Sequence, residues 1–194
     1  MRARLRLVLL STATAALGIA ALPLSFAANT TSEDGKTMHS LLGSYLAATF
    51  ARNGNDATNA TAFYRSALSL DPGSEVLLEQ AFQTEATEAN WERAIALAKE
   101  LIAKDQTHRM AHLVLGLDRF KAGNYEKAEK EFEAASDGLI GELTSALARG
   151  WSALAAGDGA RGLKLLHIPK QAEGAQFYLS YHEALLADVA GKKK

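Results

Sequence analysis

The chain has 194 residues, of which 48 % are apolar and 22 % charged, and its formal net charge is −1. This is a globular composition, and the near-zero charge argues against non-specific nucleic-acid binding, which draws its affinity from clustered Lys and Arg. There is no cysteine, which excludes disulfides, thiolate metal sites, a cysteine nucleophile and a lipidated cysteine anchor.

At the N-terminus, Arg2, Arg4 and Arg6 precede a stretch without charge from Leu7 to Ala28, and Ser25-Phe26-Ala27 puts small residues at the two positions a signal peptidase reads. A basic start, an apolar middle and a small-x-small exit predict a secretory signal peptide over 1–27. An uncleaved membrane anchor is the competing reading, because the apolar span is long enough to cross a bilayer. Cleavage takes the 21 basic side chains to 18 against 22 acidic ones, a net charge of −4. Export without cysteine fits a bacterial periplasm. Residues 28–37 read as a polar linker, after which the globular domain runs over 38–191 and a basic tail over 192–194.

A 34-residue period occupies that domain. Ala60, Ala94 and Ala128 are each 34 apart, and Asn90-Trp91-Glu92-Arg93-Ala94 aligns with Asn124-Tyr125-Glu126-Lys127-Ala128. Another copy falls at Gly157-Asp158-Gly159-Ala160-Arg161-Gly162. Ala48, Phe82, Gly116, Gly150 and Ala184 keep the same spacing, Phe82 being the odd member, and Tyr64 and Phe132 recur at twice the period. Within a copy the apolar residues Met110, Leu113, Val114, Leu117 and Phe120 follow a helical period. Gly123-Asn124 then ends one helix and caps the next, which runs from Glu126 to Ala135. Small residues at the repeated sites let two antiparallel helices approach, and Tyr64 or Phe132 fills the gap beside them. Asp71-Pro72 ends the first copy, since a residue before proline disfavours α geometry.

Helix–turn–helix units of this length resemble the tetratricopeptide repeat (TPR) family, most clearly from Gly116 through Gly123-Asn124-Tyr125-Glu126-Lys127-Ala128 to Phe132 and Ala135. The resemblance implies an all-α, right-handed superhelical solenoid of about four and a half repeats. The units fall at 41–74, 75–108, 109–142 and 143–176, with a partial fifth at 177–191. The second unit departs from the pattern at Phe82 and at Gln106, where the first has Pro72. The fourth carries Pro169 inside its second helix, which predicts a short one. The last helix holds Leu185, Leu186 and Val189, whereas a terminal helix needs a polar outer face. That implies either a longer array, a partner at this end, or a helix that is itself the cap, with the lysines complementing its dipole.

In the family the first helix of each unit lines the inner surface. Carried over, the candidate partner-binding residues are Tyr45 in the first unit and Met110, Leu113, Leu117 and Phe120 in the third. Leu147, Trp151 and Leu154 follow in the fourth, and Tyr178 and Tyr181 in the fifth. This lining grades from polar to apolar along the stack and suits an amphipathic helix or an extended apolar peptide. The plainer alternative is that a tight superhelix buries the same residues as core. The family's carboxylate clamp is absent, because Tyr45, Thr49 and Leu113 stand at its places.

No catalytic constellation emerges. His108 and His112 share a helical face, but Arg109 occupies the place of the zinc hydrolases' glutamate, and no third ligand is near. Glu126, Glu129, Glu131 and Glu133 alternate with lysines, as on a solvated helix face. The expected function is a non-enzymatic, cofactor- and metal-free interaction module in the bacterial cell envelope. It binds a protein or peptide, with no nucleic acid and no membrane span after cleavage. The alternatives are a structural array self-associating through the C-terminal helix, or the front of a longer TPR protein with further function beyond residue 194.

Overall fold

The computed structural model describes residues 40–167 and 174–191. The expected signal peptide, linker and basic tail, together with Pro169, lie outside those residues. Among the described residues there are nine helices and no strand: α1 (Leu41–Asn53), α2 (Ala57–Leu70), α3 (Glu75–Thr87), α4 (Trp91–Lys104), α5 (Arg109–Lys121), α6 (Tyr125–Ala134), α7 (Gly138–Ala155), α8 (Gly159–Leu165) and α9 (Ala175–Val189). Each helix packs on the next one in the chain. The protein is therefore all-α with consecutive helix pairing, the arrangement of an α-solenoid.

The 34-residue period is written into the backbone as well as the side chains. The tight turn inside each helix pair has one residue in the left-handed region, and these residues are Asn55, Ala89, Gly123 and Gly157, each 34 from the last. The N-caps of the second helices follow the same spacing at Asp56, Asn90, Asn124 and Asp158. So do those of α1, α3 and α5, where Ser40 Oγ, Ser74 Oγ and His108 Nδ1 accept from the N–H three residues on. A side-chain acceptor there satisfies one of the helix's orphan donors. Histidine in a serine's role was not evident from the sequence.

The helix–helix seam alternates in size. Ala48 lies in the same core as Tyr64, and both are fully buried. At Gly116 an added Cβ would collide with the Phe132 ring, and at Gly150 it would come within 3.1 Å of Leu166. The second unit inverts the pair: Phe82 is fully buried, and Ala98 stands at the place that Tyr64 and Phe132 hold elsewhere. A large residue against a small one fills the seam in either order, which accommodates the irregular Phe82.

The frame slips at the start of α7. The next cap in phase would be Glu142, but α7 already begins at Gly138, whose φ is +70°, before the expected unit start at 143. Arg109 Nη1 donates to the Asp137 carbonyl at 2.8 Å and holds this extra turn against α5. The shorter α6 leaves the space for it. In the fourth unit α8 has only 7 residues, and α9, starting at Ala175 ahead of the expected unit start at 177, contacts α7 as well as α8.

Candidate functional site

Along the odd-numbered helices runs an apolar groove of about 560 Å³, lined by Phe82, Trp91, Met110, Leu113, Leu117 and Phe132 among others. Its walls come from equivalent faces of α3, α5 and α7. Met110 and Leu117, two turns apart, are both exposed there. A second hollow of about 310 Å³ continues it past Leu117, between Trp91, Ile95, Phe120 and Lys121. Phe120 is held by an edge-on contact with Tyr125, ring centroids 5.4 Å apart. The third-unit candidates Met110, Leu113, Leu117 and Phe120 are thus brought together.

The other candidates are not part of that groove. Tyr45 lines a separate hollow of about 370 Å³ with Leu41, Leu42, Val76 and Leu77, and stacks edge-on against Tyr64. Leu147, Trp151 and Leu154 pack half-buried on a core of Leu166, Leu179 and Leu186. Trp151 Nε1 donates to His182 Nδ1 at 3.0 Å, joining α7 to α9. Tyr178 and Tyr181 stand exposed on α9. The candidate lining is therefore open on α5 and filled on α7, while on α9 Tyr178 and Tyr181 remain exposed on the side away from α7 and α8. Trp91 also lines the groove, although it is not among the sequence candidates. It is the first residue of α4, and only the closeness of α4 to α5 turns its ring into the groove.

Charged groups cluster away from the groove and act as clasps between units. Glu85, fully buried, accepts from Arg65 Nε and Nη2 at 2.8–3.0 Å and from Asn90 Nδ2 at 2.9 Å, and Arg93 Nε lies 3.0 Å away. A buried carboxylate needs such pairing, and removing a partner from it is strongly destabilising. Glu129 is likewise buried and is gripped by both terminal nitrogens of Arg161 at 2.7 and 3.0 Å. Glu131 meets His112 Nδ1 at 2.7 Å, and Glu133 meets Arg149 at 3.3 Å. Glu129 and Glu131 thus join α6 to neighbouring helices, which corrects the solvated face read for them from the alternation with lysines, whereas Glu126 and Glu133 are exposed.

His108 and His112 are turned to different partners. His108 Nδ1 accepts from the Ala111 N–H, so its Nε2 carries the proton and donates to Glu79 at 2.6 Å. His112 sits between Glu131 and the Gln106 carbonyl oxygen. Both rings are used in joining neighbouring elements. Two exposed carboxyls are held below the usual carboxylate range by local hydrogen bonds. At Asp56 the donors are the Asn59 side chain and then its backbone N–H, and at Asp105 the Thr107 hydroxyl and then its N–H. Both belong to turns and lie outside the groove.

No helix among the described residues is long and apolar enough to cross a membrane. No protein-family model matches this chain, and no curated protein does.

Proposed function

We propose that this chain is a TPR-type interaction module that works by binding and carries out no catalysis. In this reading its right-handed superhelix presents the groove of α3, α5 and α7 to an apolar segment of a partner protein. The observation that carries the proposal is the exposure of Met110 and Leu117 beside Phe82 and Trp91 in one apolar hollow. Apolar side chains gathered on rigid helices gain by leaving water, and a preformed groove spares the partner part of the ordering cost. A helix with apolar residues at i and i+4, or an extended apolar segment, matches such a row of hollows. Burial of a few side chains gives weak, exchangeable binding, as a scaffold or adaptor requires. The leader read over 1–27 supports export to the periplasm, with a partner among envelope proteins.

A photo-crosslinking residue at Leu117 tests this in the native envelope. A discrete product identified by mass spectrometry is expected, and Met110→Glu in the same chain should abolish it. Equal products from a crosslinker at Lys130, exposed on α6 outside the groove, would overturn the proposal. Trp151 is unsuitable for this test because it is part of the packing between α7 and α9.

A further inference from the structure

Helix α9 is apolar on two sides. Its inner side, with Leu179 and Leu186, is buried against α7 and α8. Its outer side presents Phe177, Tyr178, Tyr181, Leu185 and Val189, exposed at 72, 55, 56, 37 and 65 %. This outer side shows water a stripe of apolar side chains, with exposed Asp188 beside it. Four of the five residues, Phe177, Tyr181, Leu185 and Val189, form one ridge at spacing four, the ridge most often used in helix-to-helix packing.

We propose that the outer ridge of α9 pairs with α9 of a second copy of this chain in an antiparallel, two-fold symmetric dimer. An interface of that kind must complement itself, with residue i of one copy meeting residue j of the other and the reverse. The ridge does so about its midpoint between Tyr181 and Leu185. Phe177 falls beside Val189 of the other copy, and Tyr181 beside Leu185. Each aromatic ring then meets a smaller aliphatic side chain, so the layer keeps an even width. Complete burial of the five side chains on both copies would remove on the order of 1,200 Å² from water, the lower edge of the range for a specific interface. Tyr178 and Tyr181 suit such a surface because their rings can be buried while their hydroxyls reach the rim. A weak, concentration-dependent dimer follows. The exposed ridge Leu42, Leu46 and Phe50 on α1 is the competing surface at the opposite end of the stack. Its row at spacing four has three exposed members among the described residues against four on α9, with Leu41 and Tyr45 exposed beside it.

Sedimentation velocity of the purified full chain, from about 1 to about 100 µM, tests the pairing. A shift from monomer to dimer with concentration is expected. Tyr181→Glu should weaken it by about tenfold or more, and Phe50→Glu should leave it unchanged. Circular dichroism establishes that each variant is folded, and Leu185→Lys is the independent second variant on the same ridge. A strict monomer over the whole range overturns the proposal. So does an association that Phe50→Glu abolishes and Tyr181→Glu does not. The groove variant Met110→Glu should leave the dimer intact, so this inference and the binding role of the groove fail separately.

Discussion

The front of the stack, α1 to α5, and its rear, α7 to α9, use the same repeat and reach different results. In front, paired helices of 13 or 14 residues share one continuous core from Ala48 to Leu115. At the rear the core is three buried leucines with half-buried side chains around them. The difference traces to α8. With only 7 residues it leaves α9 free to close on α7, and the inner lining at Leu147, Trp151 and Leu154 becomes packing. One shortened helix therefore decides where the groove is open and where it is filled.

Breaking the rear core is the strongest way to test that contrast. Leu186→Ala, at a fully buried site, should cost about 3 kcal/mol. Hydrogen exchange should show the protection lost from α7–α9 while α1–α5 keep theirs, because stability in repeat stacks is a sum of local terms. A uniform loss would mean that front and rear fold as one unit. Gly116→Ala sets a Cβ against the Phe132 ring and should cost about 2 kcal/mol. Phe132→Leu in the same chain should recover part of that, measured by urea unfolding. If the two changes simply add, the seam is not filled by size pairing.

Trp151→Phe removes the hydrogen bond to His182 and should cost about 1 kcal/mol. His182→Ala should cost less in that background than alone, and a double-mutant cycle reads the coupling. No coupling would mean that α9 is held to α7 by its leucines alone. Ala89, at φ +57°, occupies the turn position that Gly123 and Gly157 fill in later units. Ala89→Gly should raise stability by about 0.5 kcal/mol, as relief of the left-handed strain outweighs the added freedom of the unfolded chain. A lower melting temperature in this variant would contradict the turn geometry.

The smallest effect concerns pH. Asp56 and Asp105 titrate below the ordinary aspartate pKa in the fold, because local hydrogen bonds favour their charged forms, so the unfolded chain takes up protons first as the medium is acidified. Their contribution is present above that pH and is lost as pH falls through their lowered values. Thermal melts of Asp56→Ser should show a shallower acid-side decline than the parent chain.

Much of the architecture was legible because the repeat depends on local chemistry. Capping residues, left-handed turn residues and alternating large and small side chains act within a few residues, and they recur wherever the period recurs. The start of α7 at Gly138 was not legible, because the extra turn is held by Arg109, distant in sequence on α5. Nor was the burial of Glu129 and Glu85, since Arg161 and Arg65, which pair with them, come from neighbouring units. The candidate lining divided for the same reason. Met110, Leu113, Leu117 and Phe120 share one helix and stayed together, whereas Leu147, Trp151 and Leu154 were claimed by α9.

The sequence alone determined the helices, their pairing and their period, since each follows from short-range backbone and capping preferences and from which face of a helix is apolar. Only the tertiary structure decided which apolar faces meet each other and which meet water. That outcome depends on the length of a neighbouring helix and on charge pairs between units, neither of which any single repeat contains.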